Sequence, residues 1–172
     1  MQLNLLIPPQ EEPLTPEEVI AYLKLPDNQD KTMLRLLISS ARAYVEGLTG
    51  RVLLKQKWQL QLTPTFPPTS PLVQCSWHRL EIRLPLPPLI EVEKVRWKSK
   101  QIPFILEKDK VCLPPLYWDQ EITITFWAGY GEKPESLPPN LKMGVLMATH
   151  HFYDHQEVDL SIINPFKVHR IL

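Results

Sequence analysis

The densest group of chemistry-bearing side chains is His150-His151-Phe152-Tyr153-Asp154-His155. On a helix, His151 and His155 stand four residues apart on one face, so both imidazoles reach a single metal ion and Asp154 adds an oxygen. Such a site needs a third and usually a fourth ligand, with outer support. The other histidines, His78 and His169, have no spacing that places them there. The competing reading is the polar last turn of an apolar helix, where charged imidazoles suit the helix dipole. That reading is favoured, so no metal is expected.

The remaining candidates are weaker. Glu11-Glu12 and Glu17-Glu18 are paired carboxylates, but the second pair opens a helix, where negative charge is favourable. Ser39-Ser40 has no positioned base, and neither Cys75 nor Cys112 sits in an activating motif. Tryptophans 58, 77, 97, 118 and 127, with Lys and Arg between them, imitate a stacking platform for single strands. Large aromatics in a small sheet more often fill a core or an interface. There is no P-loop, GxGxxG, CxxC, GxSxG or HExxH. The expectation is no catalytic residue, no cofactor and no enzyme.

Composition agrees. The 172 residues carry 19 basic and 19 acidic side chains, which excludes a generic polybasic nucleic-acid binder and an acidic disordered chain. Apolar residues are 44% of the chain, enough for a core. No apolar run reaches the roughly 18 residues of a membrane span, so no membrane partner is expected. Met1 to Pro9 has no basic region and no small-residue cleavage site, and no signal peptide is expected. Two cysteines make no disulfide framework. Proline is abundant at 19 and glycine scarce at 5, which implies stiff, extended connections. Charge is uneven: residues 51–118 carry eleven basic and five acidic groups, while both flanks are net acidic. That middle stretch could face phosphate or an acidic partner.

The elements that would position these groups can be read from periodicity. Residues 1–14 form an extended, apolar, proline-bearing arm. A first helix starts with Thr15 as N-cap, Pro16 in the first turn and Glu18 completing a capping box, and Pro26 stops it. A second runs from about Asp30 to Thr49, with Leu34, Leu37, Ile38, Ala41, Val45 and Leu48 on one face and Arg35, Ser39, Arg42 and Glu46 opposite. Gly50 is placed to cap it. Alternating runs at 58–62, 80–84, 92–97, 102–106, 111–113 and 122–127 predict an antiparallel sheet, and 63–77 a long loop. The third helix, about Pro139 to His155, is apolar around most of its circumference. Such a helix is buried on most sides. The tail, with Ile162, Ile163, Phe166, Val168, Ile171 and Leu172, is too apolar to be free and should dock.

The expected fold class is α+β, a small bundle of three main helices with an inserted antiparallel β-sheet. Its divisions are an arm at 1–14, a helical part at 15–50, a β module at 51–131, a buried helix at 132–157 completing the helical part, and a docking tail at 158–172.

Several stretches together resemble the head–tail connector, or adaptor, proteins of tailed phages, prophages and gene transfer agents. They are Glu12-Pro-Leu-Thr-Pro-Glu-Glu-Val-Ile-Ala-Tyr-Leu-Lys-Leu25, Leu34 to Ser40 and Ala41-Arg-Ala-Tyr-Val-Glu-Gly-Leu-Thr-Gly-Arg51. Trp58-Gln-Leu-Gln-Leu62 looks like the family's first strand, and Leu84-Pro-Leu-Pro-Pro-Leu-Ile-Glu-Val-Glu-Lys-Val95 like its proline-marked strand pair. Ile122-Thr-Ile-Thr-Phe-Trp-Ala-Gly-Tyr-Gly131, followed by Leu137-Pro-Pro-Asn-Leu141, looks like its passage from sheet to helix. The likeness covers about residues 12–157 and is to the long form, which carries a sheet between its helices. Where the family commonly has a Trp-Tyr pair and then Arg-Glu, this chain has Phe152-Tyr153 and Gln156-Glu157.

The resemblance implies a non-enzymatic ring, usually twelve-fold, between the portal protein and a tail-side stopper or terminator. Duplex DNA would pass through it without sequence-specific binding. The chain would be made in a bacterial host's cytoplasm and reside in a virion or phage-like particle. The subunit or portal interface is expected at Leu141, Val145, Ala148, Phe152, Arg35, Arg42, Phe166, Ile171 and Leu172. The alternative is a nucleic-acid-binding module using the basic region 51–118.

Overall fold

A computed structural model describes residues 1–26, 28–76, 78–154 and 159–168. The fold is mixed α+β, and its described residues fall into two compact units. One takes Met1–Pro8 and Gln56–Gly129; the other takes Pro9–Lys55 and 130–168.

The first unit is β throughout apart from a short 3-10 turn at Pro115–Tyr117. Its elements are β1 (Gln2–Ile7), β2 (Gln56–Leu62), β3 (Val73–Ser76), β4 (Arg79–Arg83), β5 (Leu89–Trp97), β6 (Lys100–Gln101), β7 (Ile105–Glu107), β8 (Lys110–Leu113) and β9 (Ile122–Ala128). They form two antiparallel sheets where one was expected. The first has the order β1-β2-β9-β5-β6 and the second β3-β4-β8-β7. Pairing of β2 with β9 runs unbroken from Gln56 opposite Ala128 to Leu62 opposite Ile122. Leu60, Leu62, Ile122, Ile124 and Phe126 are buried, while Gln59, Gln61 and Thr123 on alternate positions are half-exposed. This is the period-two pattern of a sheet with one covered face. In the second sheet, Leu80, Ile82, Val111 and Leu113 are buried likewise.

One expectation for this unit is sharpened and one is corrected. The extended N-terminal arm is a strand, since Gln2 to Leu5 pair with Gln61 to Trp58. The 63–77 loop contains β3, whose Val73 to Ser76 pair with Ile82 to Arg79. Val73-Gln74-Cys75-Ser76 alternates apolar and polar residues, but over only four positions after a proline-rich stretch, too short a run to stand out; main-chain pairing to β4 makes the strand.

The second unit is helical: α1 (Pro16–Leu23), α2 (Lys31–Thr49), α3 (Pro139–Asp154) and a short 3-10 helix, Ser161–Phe166. The α1 start is the expected capping box: Thr15 Oγ1 accepts from Glu18 N–H at 3.2 Å, and Thr15 N–H donates to Glu18 Oε2 at 2.8 Å. Asp30 caps α2 by accepting from Thr32 and Met33 N–H. Gly50 ends α2 at φ 69°, a left-handed geometry that favours glycine. Leu34, Ile38, Ala41 and Val45 of α2 pack with Leu141, Val145 and Ala148 of α3, with Leu14, Val19, Leu53 and Ile163 around them. Each large aliphatic side chain fully buried here contributes about 1.5–3 kcal/mol.

Candidate functional site

Nine positions were expected at an assembly interface. Leu141, Val145 and Ala148 are fully buried inside this chain. They are core residues, and that part of the expectation is corrected. Much of the apolar circumference of α3 is covered by α2 on one side and by the 3-10 helix Ser161–Phe166 on another, within this chain, while Met143 stays exposed. The 3-10 helix lies close enough that a methyl at Gly144 would collide with Ile163 Cγ2. Phe166 packs partly buried on the same core, and its carbonyl accepts from Arg51 Nε at 2.7 Å. The tail is further held by Val168 N–H donating to Thr49 O at 2.8 Å. Ile171 and Leu172 lie outside the described residues.

Arg42 is committed within the chain. Its guanidinium reaches Glu12 at 2.8 Å and Glu46 at 2.9 Å, with its side chain 14% exposed. Burial alone would lower its pKa, but the hydrogen bond to Glu12 and the charge of Glu46 outweigh that and raise it. Glu46 also accepts from Leu53 N–H, tying the end of α2 to the chain that leaves it. Arg35 is exposed, and Phe152 is half-buried, its ring centre 5.5 Å from that of Tyr44 in an edge-on arrangement.

Tyr22 of α1 and Met143 of α3 are exposed singly, whereas α2 carries a line of open apolar positions. Met33, Leu36, Tyr44 and Leu48 are between 37% and 60% exposed. Ser40, Ala43 and Gly47 are exposed between them, and a methyl added at Gly47 would meet nothing. At 100° per residue these seven positions fall in one stripe beside the buried face, roughly 22 Å long. The stripe holds no charge; Arg35, Arg42 and Glu46 lie on the remaining side. Small residues alternating with large apolar ones suit close approach of another helix. The sequence reading missed this stripe by assigning α2 a single apolar face. The signal was present in the three- and four-residue steps of Met33, Leu36, Ser40, Tyr44 and Gly47.

Several basic groups of 51–118 pair with acidic groups of the same stretch, which fixes their positions but leaves the net basic excess as it was. Lys57 pairs with Glu93, Arg79 with Glu81 and Glu107, Arg83 with Asp109, and Lys110 with Glu81. Glu81 and Glu93 are accordingly held below the ordinary carboxylate range by their lysine and arginine partners. The β5–β6 hairpin is different: Arg96, Lys98 and Lys100 are exposed there and have no ion pair among the described residues. Lys98 Nζ sits 5.0 Å from the Trp97 ring centre.

The described members of the histidine cluster do not converge on one point. His150 Nε2 pairs with Asp154 Oδ2 at 3.0 Å, and His151 lies against the Phe152 ring. His78 belongs to the β unit, while His155 and His169 lie outside the described residues. Among the described residues no three metal-ligating side chains come together. Cys112 is buried, and burial pushes its thiol up. Three of the described tryptophans have separate partners. Trp97 Nε1 donates to Gln120, Trp118 meets Phe66, Trp127 lies under Lys57, and Trp77 lies outside the described residues.

No protein-family model matches the chain, and no curated protein is significantly similar to it. Solved structures do match, over the whole chain. A chain from the neck of an empty gene transfer agent (GTA) particle, computed with C6 symmetry, has a TM-score of 0.74 at 18% identity. A chain from the virion of a native GTA particle has 0.76 at 19%. One from the neck of a native GTA particle, computed with C12 symmetry, has 0.70 at 21%. Each match covers 100% of this chain and 98% of the other. At these identities the likeness establishes the fold: this arrangement of a helical unit and two sheets is one also found in chains of GTA particles.

Proposed function

We propose that the chain is a non-enzymatic structural subunit of the neck of a phage or phage-like particle. It would act as the head–tail adaptor, forming a ring, expected to be twelve-fold, between portal and tail-side stopper and extending the DNA channel. The observation that carries this reading is end-to-end agreement in fold with chains of GTA necks and virions. The uncharged stripe on α2 supports it, because an exposed apolar line of this length calls for a partner. Phe152, edge-on to Tyr44, borders the proposed contact, Arg35 stands exposed on another side of α2, and Phe166 holds the tail against the unit that makes the contact. The protein would reside in the particle. No helix among the described residues is long and apolar enough to cross a membrane.

The test is co-expression with the portal and tail-side proteins of the same gene cluster, followed by electron microscopy. The expected result is a ring of this chain seated on the portal. Absence of any complex across salt conditions would remove the adaptor reading.

The second reading, nucleic-acid binding, is favoured by one feature, the unpaired basic hairpin at Arg96, Lys98 and Lys100. Three phosphate contacts give a log affinity that falls with log salt at a slope of about −3. A steeper slope, removed by replacing all three with Gln, would make DNA binding the main activity. A shallow slope fits a channel wall along which DNA slides.

A further inference from the structure

Exposed aliphatic side chains of the five-stranded sheet lie on its outer strands. Leu5, Leu6 and Ile7 of β1 and Ile90 of β5 are between 39% and 46% exposed, while the inner strands β2 and β9 have no exposed large apolar residue. Leu5, Leu6 and Ile7 are consecutive, so side chains on both faces of this edge are open. β1 pairs with β2 on one side, and among the described residues no strand pairs with its other side. Exposed edges are usually guarded by charge, proline or a covering segment. Gln2–Ile7 has no charged residue and no proline.

At the opposite edge, β6 pairs only with Arg96 and Trp97 of β5. Residues 89–94 of β5 have no outer neighbour among the described residues. The two free edges overlap in height over Asn4–Ile7 and residues 91–94, while Gln2 and Leu3 stand level with Arg96 and Val95, where the chain around β6 already pairs. Through the registers of β1, β2, β9 and β5, Leu5 stands level with Val92, and Ile7 with Glu91. The edges match in direction. All pairings are antiparallel, so β5 runs opposite to β1.

We propose that β1 of one copy adds to the free edge of β5 in the next, so that the sheet continues from subunit to subunit. This rests on the ring reading above. Head-to-tail repetition preserves strand direction and brings the incoming β1 antiparallel to β5. Main-chain hydrogen bonds supply the attraction, and Leu5, Leu6 and Ile7 meet the side of Ile90. The contact is heterologous, the kind that closes rings. Pairing of β1 with β1 would instead close a twofold dimer and end assembly. The face carrying Gln2, Asn4, Gln59, Gln61 and Thr123 becomes a polar band running around the ring.

The test uses two edge variants of the full chain, Leu5→Arg and Ile90→Arg, both at exposed positions and both checked for native circular dichroism. Sedimentation velocity over a concentration range compares wild type, each variant and an equimolar mixture. The expected result is self-association of the wild type, weakened about 100-fold in each variant alone. The mixture gives a discrete one-to-one dimer, because one intact edge of each kind remains. Association of both variants like wild type overturns the strand pairing and leaves the ring reading standing. Dimers of Ile90→Arg alone would show β1–β1 pairing and also overturn it. A wild type that stays monomeric and rings only on the portal overturns the pairing as the driving contact. Failure to ring even with portal overturns both.

Discussion

Several single side chains of the helical unit are committed to holding that unit together. Glu18 illustrates how. Burial raises its carboxyl pKa, but the Lys142 ammonium at 2.7 Å and the Thr15 N–H outweigh burial and hold it below the ordinary carboxylate value. A depressed folded-state pKa means that the stabilisation is complete above the unfolded value of 4.5 and is lost as pH falls through the folded one. Urea midpoints of wild type should therefore fall between about pH 5 and 3, and Glu18→Gln should flatten part of that fall. Arg42 is less exposed and faces two carboxylates. Arg42→Ala leaves Glu12 and Glu46 without their cation and should cost about 2 kcal/mol in chemical denaturation, the remaining exposure keeping it below a fully buried pair. Glu18 was legible as part of a capping box because capping is local. The Arg42–Glu12 pair spans 30 residues and no local pattern encodes it.

At the scale of elements, α3 shows where a periodicity argument goes astray. Its apolar run correctly signals burial on several sides, but periodicity does not name the covering partner. The 3-10 helix Ser161–Phe166 provides it within the same chain, seated against Gly144. Gly144→Ala would drive a methyl into Ile163, a β-branched, fully buried neighbour that cannot swing away. The expected loss is about 1–3 kcal/mol, with the 3-10 segment gaining hydrogen exchange before the rest of the helical unit. On α2 the reverse error occurred. Leu37 and Leu48 were counted toward the core face, yet Leu48 is exposed and belongs to the second stripe with Met33, Leu36 and Tyr44. A helix apolar over two adjacent sectors cannot tell from composition which sector its own chain will cover.

For the whole molecule the expected consequence concerns assembly. Leu36→Glu places a charge in the middle of the α2 stripe while touching no core residue. Thermal stability should change by less than about 0.5 kcal/mol, and rings on the portal should be lost or sharply reduced in electron micrographs. Retained rings with normal occupancy would show that the stripe faces elsewhere. The sequence by itself determined the helices and most strands, because caps, prolines and two- or three-to-four-residue periods act over neighbouring residues. It also determined the lack of any recognisable catalytic motif. Only tertiary structure decided that the strands divide into two sheets, that β9 inserts between β2 and β5, and which apolar surfaces remain open. Those outcomes depend on pairings between residues tens of positions apart, where many arrangements satisfy the same local preferences and only collective burial selects one.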